Sequence, residues 1–255
     1  MSLSRPSFLV PRAATLRGDT IMLRPLGKRD ADELALVPDD PAWEFLIRRP
    51  AGNGVEPERW LADALRGQRH GTERCWTVRD VHTKQLLGTT RFLNLDLAHR
   101  RLEIGATWFL PEARGTCANA ESKLLLLDHA FADLGVQRVH IQADVRNEVS
   151  RRAIEQLGAS FEGVLRRHIV LPCGTVRDTA VYSIIADEWE ELRPSLAVRA
   201  NAKPPTWRAR PSSLVLPADD HAESTIAATG TLAPGALLDA AANALGLTPE
   251  GAASA

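Results

Sequence analysis

The 255-residue chain has room for one domain with extensions or for two small domains. Its content of 44% hydrophobic and 25% charged residues is that of a globular protein, and its formal net charge of −1 argues against nucleic acid as a partner. Apolar runs stay short of the roughly 20 residues of a membrane span, and the three cysteines lack metal-ligand spacing. We therefore expect a cytoplasmic protein with free thiols, no membrane association and no metal.

The N-terminal part of the chain predicts a disordered leader over residues 1–18 and then ordered structure. Hydrophobic period and turn residues predict strands over 20–26, 75–79 and 85–95 and helices over 30–37 and 57–69. The loop over 38–56 contains Trp43 and Phe45. These two aromatic residues either belong to a functional loop or simply pack on the domain.

The central stretch, from Arg101 to Gly135, predicts a strand, a tight turn and a long helix. Residues 102–109 have the β-favouring content of a strand. Apolar residues spaced three and four apart from Ala120 to Leu134 predict an amphipathic helix that ends at the glycine.

The turn between this strand and helix, residues 112–119, predicts an anion site. Small residues let a phosphate approach the first amides of the helix, which are unpaired and lie at the positive end of its dipole. Arg114 adds a positive charge, and Thr116 and Asn119 can donate from their side chains. The same residues are also compatible with an ordinary Gly-containing turn.

The remainder of the chain alternates strands and helices before its composition changes. We predict strands over 138–145, 160–171 and 175–185 and helices over 148–157 and 187–199. Asn147 is placed to cap the first of these helices, and the alternation favours an α/β sheet. Residues 201–217 predict a Pro-rich linker, and the acidic, Ala-rich residues 218–255 predict a disordered tail or one short helix that docks a partner.

Two motifs of the central stretch resemble motif A of the GNAT superfamily of acyl-CoA-dependent N-acyltransferases, specifically its RimJ/RimL-like branch. They are Glu103-Ile104-Gly105 and Pro111-Glu112-Ala113-Arg114-Gly115, and the resemblance extends over about residues 20–185. Cys117 and Asn119 replace two small residues of the family pattern, which we attribute to a sub-branch. The resemblance implies a GNAT fold of the α/β (α+β) class, with a mixed, mostly antiparallel sheet that is flanked by helices and splayed between strands four and five.

The resemblance also implies a co-substrate. Acetyl-CoA, or another acyl-CoA, would bind a domain over 19–200, with its pantetheine arm in the splayed wedge and its pyrophosphate in the turn. The residues expected to hold it are Phe109, Leu110, Arg114, Gly115, Thr116, Cys117, Ala118, Asn119 and Asn147.

The implied reaction is direct acyl transfer to an amine in a ternary complex. Glu103 resembles the strand-four glutamate that many members use as the base. Many members place a tyrosine acid where this chain has Ile154. RimJ/RimL-like members instead use a serine three residues after an asparagine, and Asn147 and Ser150 have that spacing, so Ser150 is expected to donate to the departing sulfur.

Several alternatives remain open at this point. Asp144 and His168 are further candidates for the base, and Cys117 is a remote candidate nucleophile. The acceptor is a protein N-terminus, a small amine, an amino sugar or a peptide, and the protein is a possible homodimer. The main alternative function is a GNAT-like sensor or scaffold that binds acyl-CoA without turnover, and another is an interaction module that binds no CoA.

Overall fold

The computed structural model describes residues 13–47, 56–171, 173–209 and 212–214. Residues 1–12 of the expected leader over 1–18 and the tail over 218–255 therefore lie outside the described residues, as does part of the loop over 38–56. Within the described ranges, none of the helices has the length and apolar content needed to cross a bilayer.

A single eight-stranded sheet organises the described part of the chain. Its strands are β1 (Leu16–Arg17), β2 (Ile21–Pro25), β3 (Arg74–Asp80), β4 (Leu86–Asp96), β5 (Arg101–Phe109), β6 (Arg138–Asp144), β7 (Ser160–Val170) and β8 (Val176–Ile185). Their order is β1-β2-β3-β4-β5-β6-β8-β7. All neighbours are antiparallel except β5 and β6, so the predicted mixed, mostly antiparallel sheet is confirmed.

The parallel pair β5 and β6 is joined at one end only. Its register links Arg101 to Arg138, Leu102 to Val139 and Glu103 to His140, and extends no further along these strands. Beyond the last pair the two strands diverge and leave a wedge. Because the short β1 precedes the others, β5 and β6 are the fourth and fifth strands of the sequence prediction, and the predicted splay is present.

A β-bulge interrupts β5 beside this wedge. One β4 residue, Thr90, opposes two β5 residues, Ala106 and Thr107, and Ala106 has a positive φ of 46°. The extra residue shifts the alternation of side chains along the strand. As a result Ile104 lies in one hydrophobic core and Trp108 in the other.

Helices cover both faces of the sheet. They are α1 (Ala31–Ala35), α2 (Pro57–His70), α3 (Ala118–Asp128), α4 (Glu148–Glu155) and α5 (Ala186–Ala202), with a π-helical turn over His129–Asp133 and 3-10 turns over Lys28–Asp30, Pro41–Phe45, Pro111–Ala113 and Thr206–Ala209. The large core lies between the sheet and α3, α4 and α5. The small core lies on the other face, against α1 and α2, and consists of Leu26, Leu34, Val37, Trp43, Trp60, Leu61, Ala64, Cys75, Leu86, Trp108 and Leu110.

The structure corrects the expected linker over 201–217. Thr206–Ala209 form a 3-10 turn in which Trp207 is fully buried, and its indole donates to Asp80 Oδ2 at 2.9 Å. Ser213 donates from its amide and hydroxyl to Glu112 at 3.0 and 2.7 Å. The buried carboxylate of Asp80 needs donors, and this segment supplies them. Proline content alone gives no sign of such an anchor.

The expected leader over 1–18 is corrected at its C-terminal end. β1 pairs with β2, and the indole of Trp76 donates to the carbonyl of Ala14 at 2.8 Å. Ala13 and Leu16 pack against the large core. This stretch is therefore part of the domain, because it covers a buried tryptophan and extends the sheet by one strand.

Candidate active site

The predicted anion site is built by the turn that connects β5 to α3. Gly115 has a φ of +71°, a conformation that L-residues rarely adopt, and it lets the chain reverse before the helix begins. Thr116 Oγ1 donates to the carbonyl of Ala113 at 2.6 Å and accepts from the amide of Ala118 at 3.2 Å. The amides of Asn119 and Ala120 belong to the first helical turn, which offers them no acceptor. We call the segment from Gly115 to Ala120 the cradle.

Sequence analysis assigned the cradle's charge to Arg114, and the structure changes that role. The Arg114 Nε donates to the carbonyl of Phe109 at 2.9 Å, and its Nη2 pairs with Asp40 Oδ2 at 2.5 Å. The guanidinium thus ties the turn to the end of β5 and to the segment before Trp43. Its charge is already paired with a carboxylate, so its main effect is to fix the shape of the turn.

Main-chain groups at the end of β5 were expected to bind the pantetheine arm. The amide of Leu110 donates to Leu87 at 2.8 Å, and the carbonyl of Leu110 accepts from Ala113 at 3.0 Å. The Leu110 amide is therefore not available to a ligand, because the sheet uses it. Phe109 pairs with Gly88 of β4, and its carbonyl accepts from Arg114.

Cys117 precedes α3 with its side chain turned into the large core, where it is 1% exposed. Burial, and next the nearby carboxylate of Glu121, raise the pKa of this thiol. A thiol with a raised pKa is a poor nucleophile at neutral pH. The candidate nucleophile from the sequence is therefore not supported, and only the main chain of Cys117 can contribute to the cradle.

Glu103 lies at the vertex of the wedge, in the last residue pair that joins β5 to β6. The residue is 9% exposed, and Oε2 accepts from Asn94 Nδ2 at 2.8 Å. His140 Nε2 lies 3.2 Å from the same oxygen, and because a carboxylate can only accept, this nitrogen is the donor. Oε1 lies above Gly105, 2.8 Å from where a Cβ would stand. The carboxylate thus has one oxygen held by hydrogen bonds and one that lies over the Gly105 backbone, beside the Leu93 side chain.

The start of α4 presents the other predicted catalytic residue. Asn147 Oδ1 accepts from the amide of Ser150 at 2.9 Å, so the predicted N-cap is confirmed. Ser150 is partly exposed, in the first turn of a helix that follows β6, the second wall of the wedge. Ile154, at the family's tyrosine position, is buried in the large core.

The other base candidates from the sequence, Asp144 and His168, have structural environments, and so does Tyr182. Asp144 is buried, and although burial alone raises its pKa, hydrogen bonds from Arg146 outweigh that effect and lower it. Tyr182, the chain's one tyrosine, donates from its hydroxyl to Glu155 at 2.9 Å. His168 lies in an exposed irregular part of β7, two strands beyond the wedge. None of these three residues contacts Glu103 or the cradle in the described structure.

One residue beside the wedge escaped sequence analysis. Lys123 follows Asn119 by one helical turn, is 6% exposed, and donates from Nζ to Thr107 Oγ1 in the bulge at 2.8 Å. Burial lowers its pKa to about 7. In the sequence Lys123 stands beside a run of leucines. This pattern is typical of an apolar helix face, so it does not indicate that the lysine makes a polar contact.

Comparison with known proteins decides the family. The family model of the acetyltransferase (GNAT) domain matches residues 20–160, more than half of the chain. The chain belongs to the GNAT family. It is therefore an N-acetyltransferase, as the two motifs of the central stretch implied.

Two curated relatives come from Bacillus subtilis. YoaA, an uncharacterized N-acetyltransferase, is 39% identical over 127 residues, which cover 49% of this chain and 66% of YoaA, just under two thirds of that relative. YdaF, whose name assigns it provisionally to ribosomal N-acetylation, is 29% identical over 177 residues, which cover 67% of this chain and 93% of YdaF.

A solved GNAT structure shares the fold. The Mycobacterium smegmatis RimJ protein, in complex with CoA-disulfide, superposes with a TM-score of 0.59 at 23% identity, over 74% of this chain and 92% of the RimJ chain. The RimJ fold and the name of YdaF agree with the predicted RimJ/RimL-like branch.

Proposed function

We propose that this GNAT enzyme transfers an acetyl group from acetyl-CoA to a primary amine by direct transfer in a ternary complex. The observation that carries the proposal is the wedge: β5 and β6 separate beyond Glu103, and the far end of β5 leads into the cradle at the start of α3. An extended arm can lie between the two strands as an additional strand, because their facing main-chain groups have no partner strand there. The cradle then lies where the pyrophosphate of the same molecule would be.

The cradle binds the pyrophosphate through main-chain amides in this proposal. The sequence assigned to this role the amides of Gly115, Thr116, Cys117 and Asn119. We add the amide of Ala120 from the geometry of the turn. The Ala118 amide, also assigned, is satisfied by Thr116. The RimJ protein of M. smegmatis, solved with CoA-disulfide, is a precedent within the fold for a CoA ligand.

Glu103 acts as the base. The amine nitrogen attacks the thioester carbonyl, Glu103 Oε1 takes the amine proton directly or through water, and the bond from carbon to sulfur breaks. Because Asn94 and His140 hold Oε2, the carboxylate is fixed in orientation before the substrates bind. His140 is thus a positioning residue. Ser150 donates a hydrogen bond to the sulfur as the thiolate forms, with Asn147 fixing the helix start.

The acceptor is the least defined component. The name of YdaF makes a ribosomal protein N-terminus one candidate, and small amines, amino sugars and peptides are others. A panel that follows release of free thiol from acetyl-CoA with each amine class tests the proposal directly. We expect turnover with at least one class, and a protein that binds acetyl-CoA but turns over none of them contradicts it.

The alternative, a sensor or scaffold that binds acyl-CoA without turnover, is separated from the enzyme by Ser150→Ala. An enzyme should lose turnover while its affinity for acetyl-CoA stays within about twofold, because the hydroxyl acts only as charge develops on sulfur. A sensor should change in neither property. The measurement is steady-state thiol release together with calorimetric titration of the same variant.

Cellular location and assembly complete the proposal. Among the described residues, Cys75, Cys117 and Cys173 form no disulfide bond, which fits the reducing cytoplasm. A homodimer and a docking role for the tail remain predictions.

A further inference from the structure

The six tryptophans fall into two groups by the state of their indole N–H. Trp76, Trp189 and Trp207 belong to the large core, and their Nε1 atoms donate to Ala14, Asp128 and Asp80. Trp43, Trp60 and Trp108 belong to the small core, and their Nε1 atoms are buried without a partner in the described structure. A buried donor without an acceptor costs about 1–3 kcal/mol. Three of them on one face of the sheet call for an explanation.

The unpartnered donors adjoin one another. Trp43 and Trp108 meet edge to face with ring centroids 6.0 Å apart. Trp108 is the cross-strand neighbour of Thr89, whose hydroxyl is also buried and unpartnered. Arg91 lies two residues further along the same face of β4, with its guanidinium 4.5 Å from the ring centre of Trp60. The five residues form a continuous row, which we call the donor row.

Arg91 defines the chemistry of the row. It is fully buried, and its Nη1 pairs with Glu73 Oε2 at 2.9 Å. Its Nε and Nη2 have no partner in the described structure. These two nitrogens form one edge of the guanidinium, the edge that binds the two oxygens of a carboxylate in parallel.

The donor row is adjacent to the proposed base. Gly105 is directly opposite Arg91 in the sheet. Because it is a glycine, it places no side chain between Arg91 and Glu103. The Oε1 of Glu103 lies over that glycine, 2.8 Å from where its Cβ would stand. Leu93 Cδ1 lies 2.9 Å from the same point, so a ligand that displaces the Leu93 side chain can reach the carboxylate of Glu103 with one end and the guanidinium of Arg91 with the other.

We propose that the amine acceptor of this enzyme carries a carboxylate, which the Arg91 fork and the indole N–H groups of the donor row bind while the amine faces Glu103. This inference rests on the proposed function, since it defines the acceptor of the same site. Four of the five residues in the row offer nitrogen donors and no acceptor, so they suit an anionic oxygen group. They are unsuited to a second ammonium, so we expect polyamines to be poor acceptors.

The test compares matched acceptors. Glycine, β-alanine, 4-aminobutyrate and phenylalanine are each assayed beside the corresponding carboxamide, with thiol release corrected to equal concentrations of neutral amine. We expect at least one acid to exceed its carboxamide in kcat/KM by about tenfold or more, as loss of a charged hydrogen-bond pair predicts. Equal rates for every pair overturn the inference and leave the proposed function standing.

Variants locate the effect. Arg91→Lys keeps a charge opposite Glu73 but loses the fork, and Trp108→Phe keeps a ring but loses the donor. Each should reduce the preference for the acid several-fold and leave the Kd of acetyl-CoA within about twofold. Trp76→Phe is the matched control, because it removes a satisfied indole from the other core and should leave the preference unchanged. A preference that survives both site variants overturns the assignment.

A binding measurement covers the case of no turnover. N-acetylphenylalanine and N-acetylphenylalaninamide, which resemble reaction products, are titrated into the CoA-loaded protein by calorimetry. Binding of the acid alone supports the donor row even if every amine fails, in which case the proposed function is wrong and the inferred site is retained. Equal binding of the acid and the amide, or no binding of either, overturns the inference.

Discussion

Glu103 is the residue on which the proposed chemistry depends. Its carboxylate is buried at the vertex of the wedge, and Asn94 and His140 both bond one of its oxygens. A carboxylate held in this way loses little entropy when it meets the substrate. Glutamine at this position would have nearly the same shape as Glu103, but its neutral amide cannot take a proton. The substitution therefore tests the role of Glu103 as a base.

Glu103→Gln should lower kcat by about 100- to 10,000-fold, the usual contribution of a general base. The Kd of acetyl-CoA should stay within about twofold, since the side chain lies at the acceptor end of the wedge. Glu190→Gln provides a control, because this exposed carboxylate lies on α5, outside the sheet. Retention of wild-type kcat in Glu103→Gln would assign the base to another group.

Lys123 predicts a dependence of stability on pH. Burial lowers its pKa to about 7 in the folded protein, from the value of 10.5 that an unperturbed lysine side chain has. The unfolded chain therefore binds more protons between about pH 7 and 10.5, so the free energy of unfolding should rise with pH across this window. Below about pH 7 both states are protonated and the full penalty of a few kcal/mol applies.

Urea unfolding of Lys123→Met tests this prediction. The variant should be more stable than the wild type at pH 7 and should lack the rise between about pH 7 and 10.5. An exposed lysine variant, Lys84→Met, should keep the rise. If Lys123→Met follows the pH dependence of the wild type, the ammonium is solvated in a way that the hydrogen bond to Thr107 does not indicate.

At the scale of elements, the turn from β5 to α3 combines two requirements. Gly115 must adopt a positive φ, and the amides that follow must stay free for the ligand. Gly135, at the other end of the helical stretch, has a similar φ of +62°, and a Cβ added at either glycine would face open space, with no contact within 4 Å. The two residues therefore form a matched pair that differs only in location.

Gly115→Ala and Gly135→Ala should each destabilise the protein by about 1–2 kcal/mol, the cost of the left-handed conformation for an L-residue. Only Gly115→Ala should also weaken acetyl-CoA binding, by about tenfold or 1.4 kcal/mol. Calorimetry and thermal unfolding separate the two effects. Equal affinities in the two variants would mean that the turn does not contact the ligand.

At the scale of the whole molecule, the segment after α5 closes the domain. Trp207 is buried in the large core and donates to Asp80. Burial alone would raise the pKa of Asp80, but hydrogen bonds from Arg208, Thr83 and Trp207 outweigh this effect and lower the pKa. This anchor connects the end of the described chain to the β3–β4 turn. The fold is thus completed by residues that lie beyond the part matched by the GNAT family.

Trp207→Ala should lower the free energy of unfolding by about 3–5 kcal/mol, as expected for a large buried aromatic residue. Arg208→Ala, which removes a partly exposed donor from the same carboxylate, should cost about 1 kcal/mol. Chemical denaturation of both variants measures the difference. Similar small losses would show that the segment contributes little to the domain.

How far the sequence could predict this molecule depends on the range of the interactions involved. Local patterns were sufficient for the helices, for the cap at Asn147 and for the turn at Gly115, because each depends on neighbouring residues. The partner of Arg114 is Asp40, 74 residues earlier, and no local pattern indicates that pair. The anchor at Trp207 was likewise hidden in a Pro-rich stretch.

The site shows the same limit. The motif around Glu103 identified the base candidate, but its contacts with Asn94 and His140 depend on register across three strands. The donor row requires the bulge at Ala106, which turns Trp108 toward the small core. A strict alternation along β5 places that tryptophan with Ile104, so the sequence alone could not assemble the row.

The most direct test of the account is calorimetric titration of acetyl-CoA into the wild-type protein and Arg114→Glu. Arg101→Glu is the control, because it reverses a charge at the opposite end of β5, where the side chain pairs with Asp96. The account predicts a Kd on the order of micromolar for the wild type and the control, and loss of binding in Arg114→Glu, since the reversal repels Asp40 and opens the turn. Absence of binding to the wild type would contradict the account at its centre.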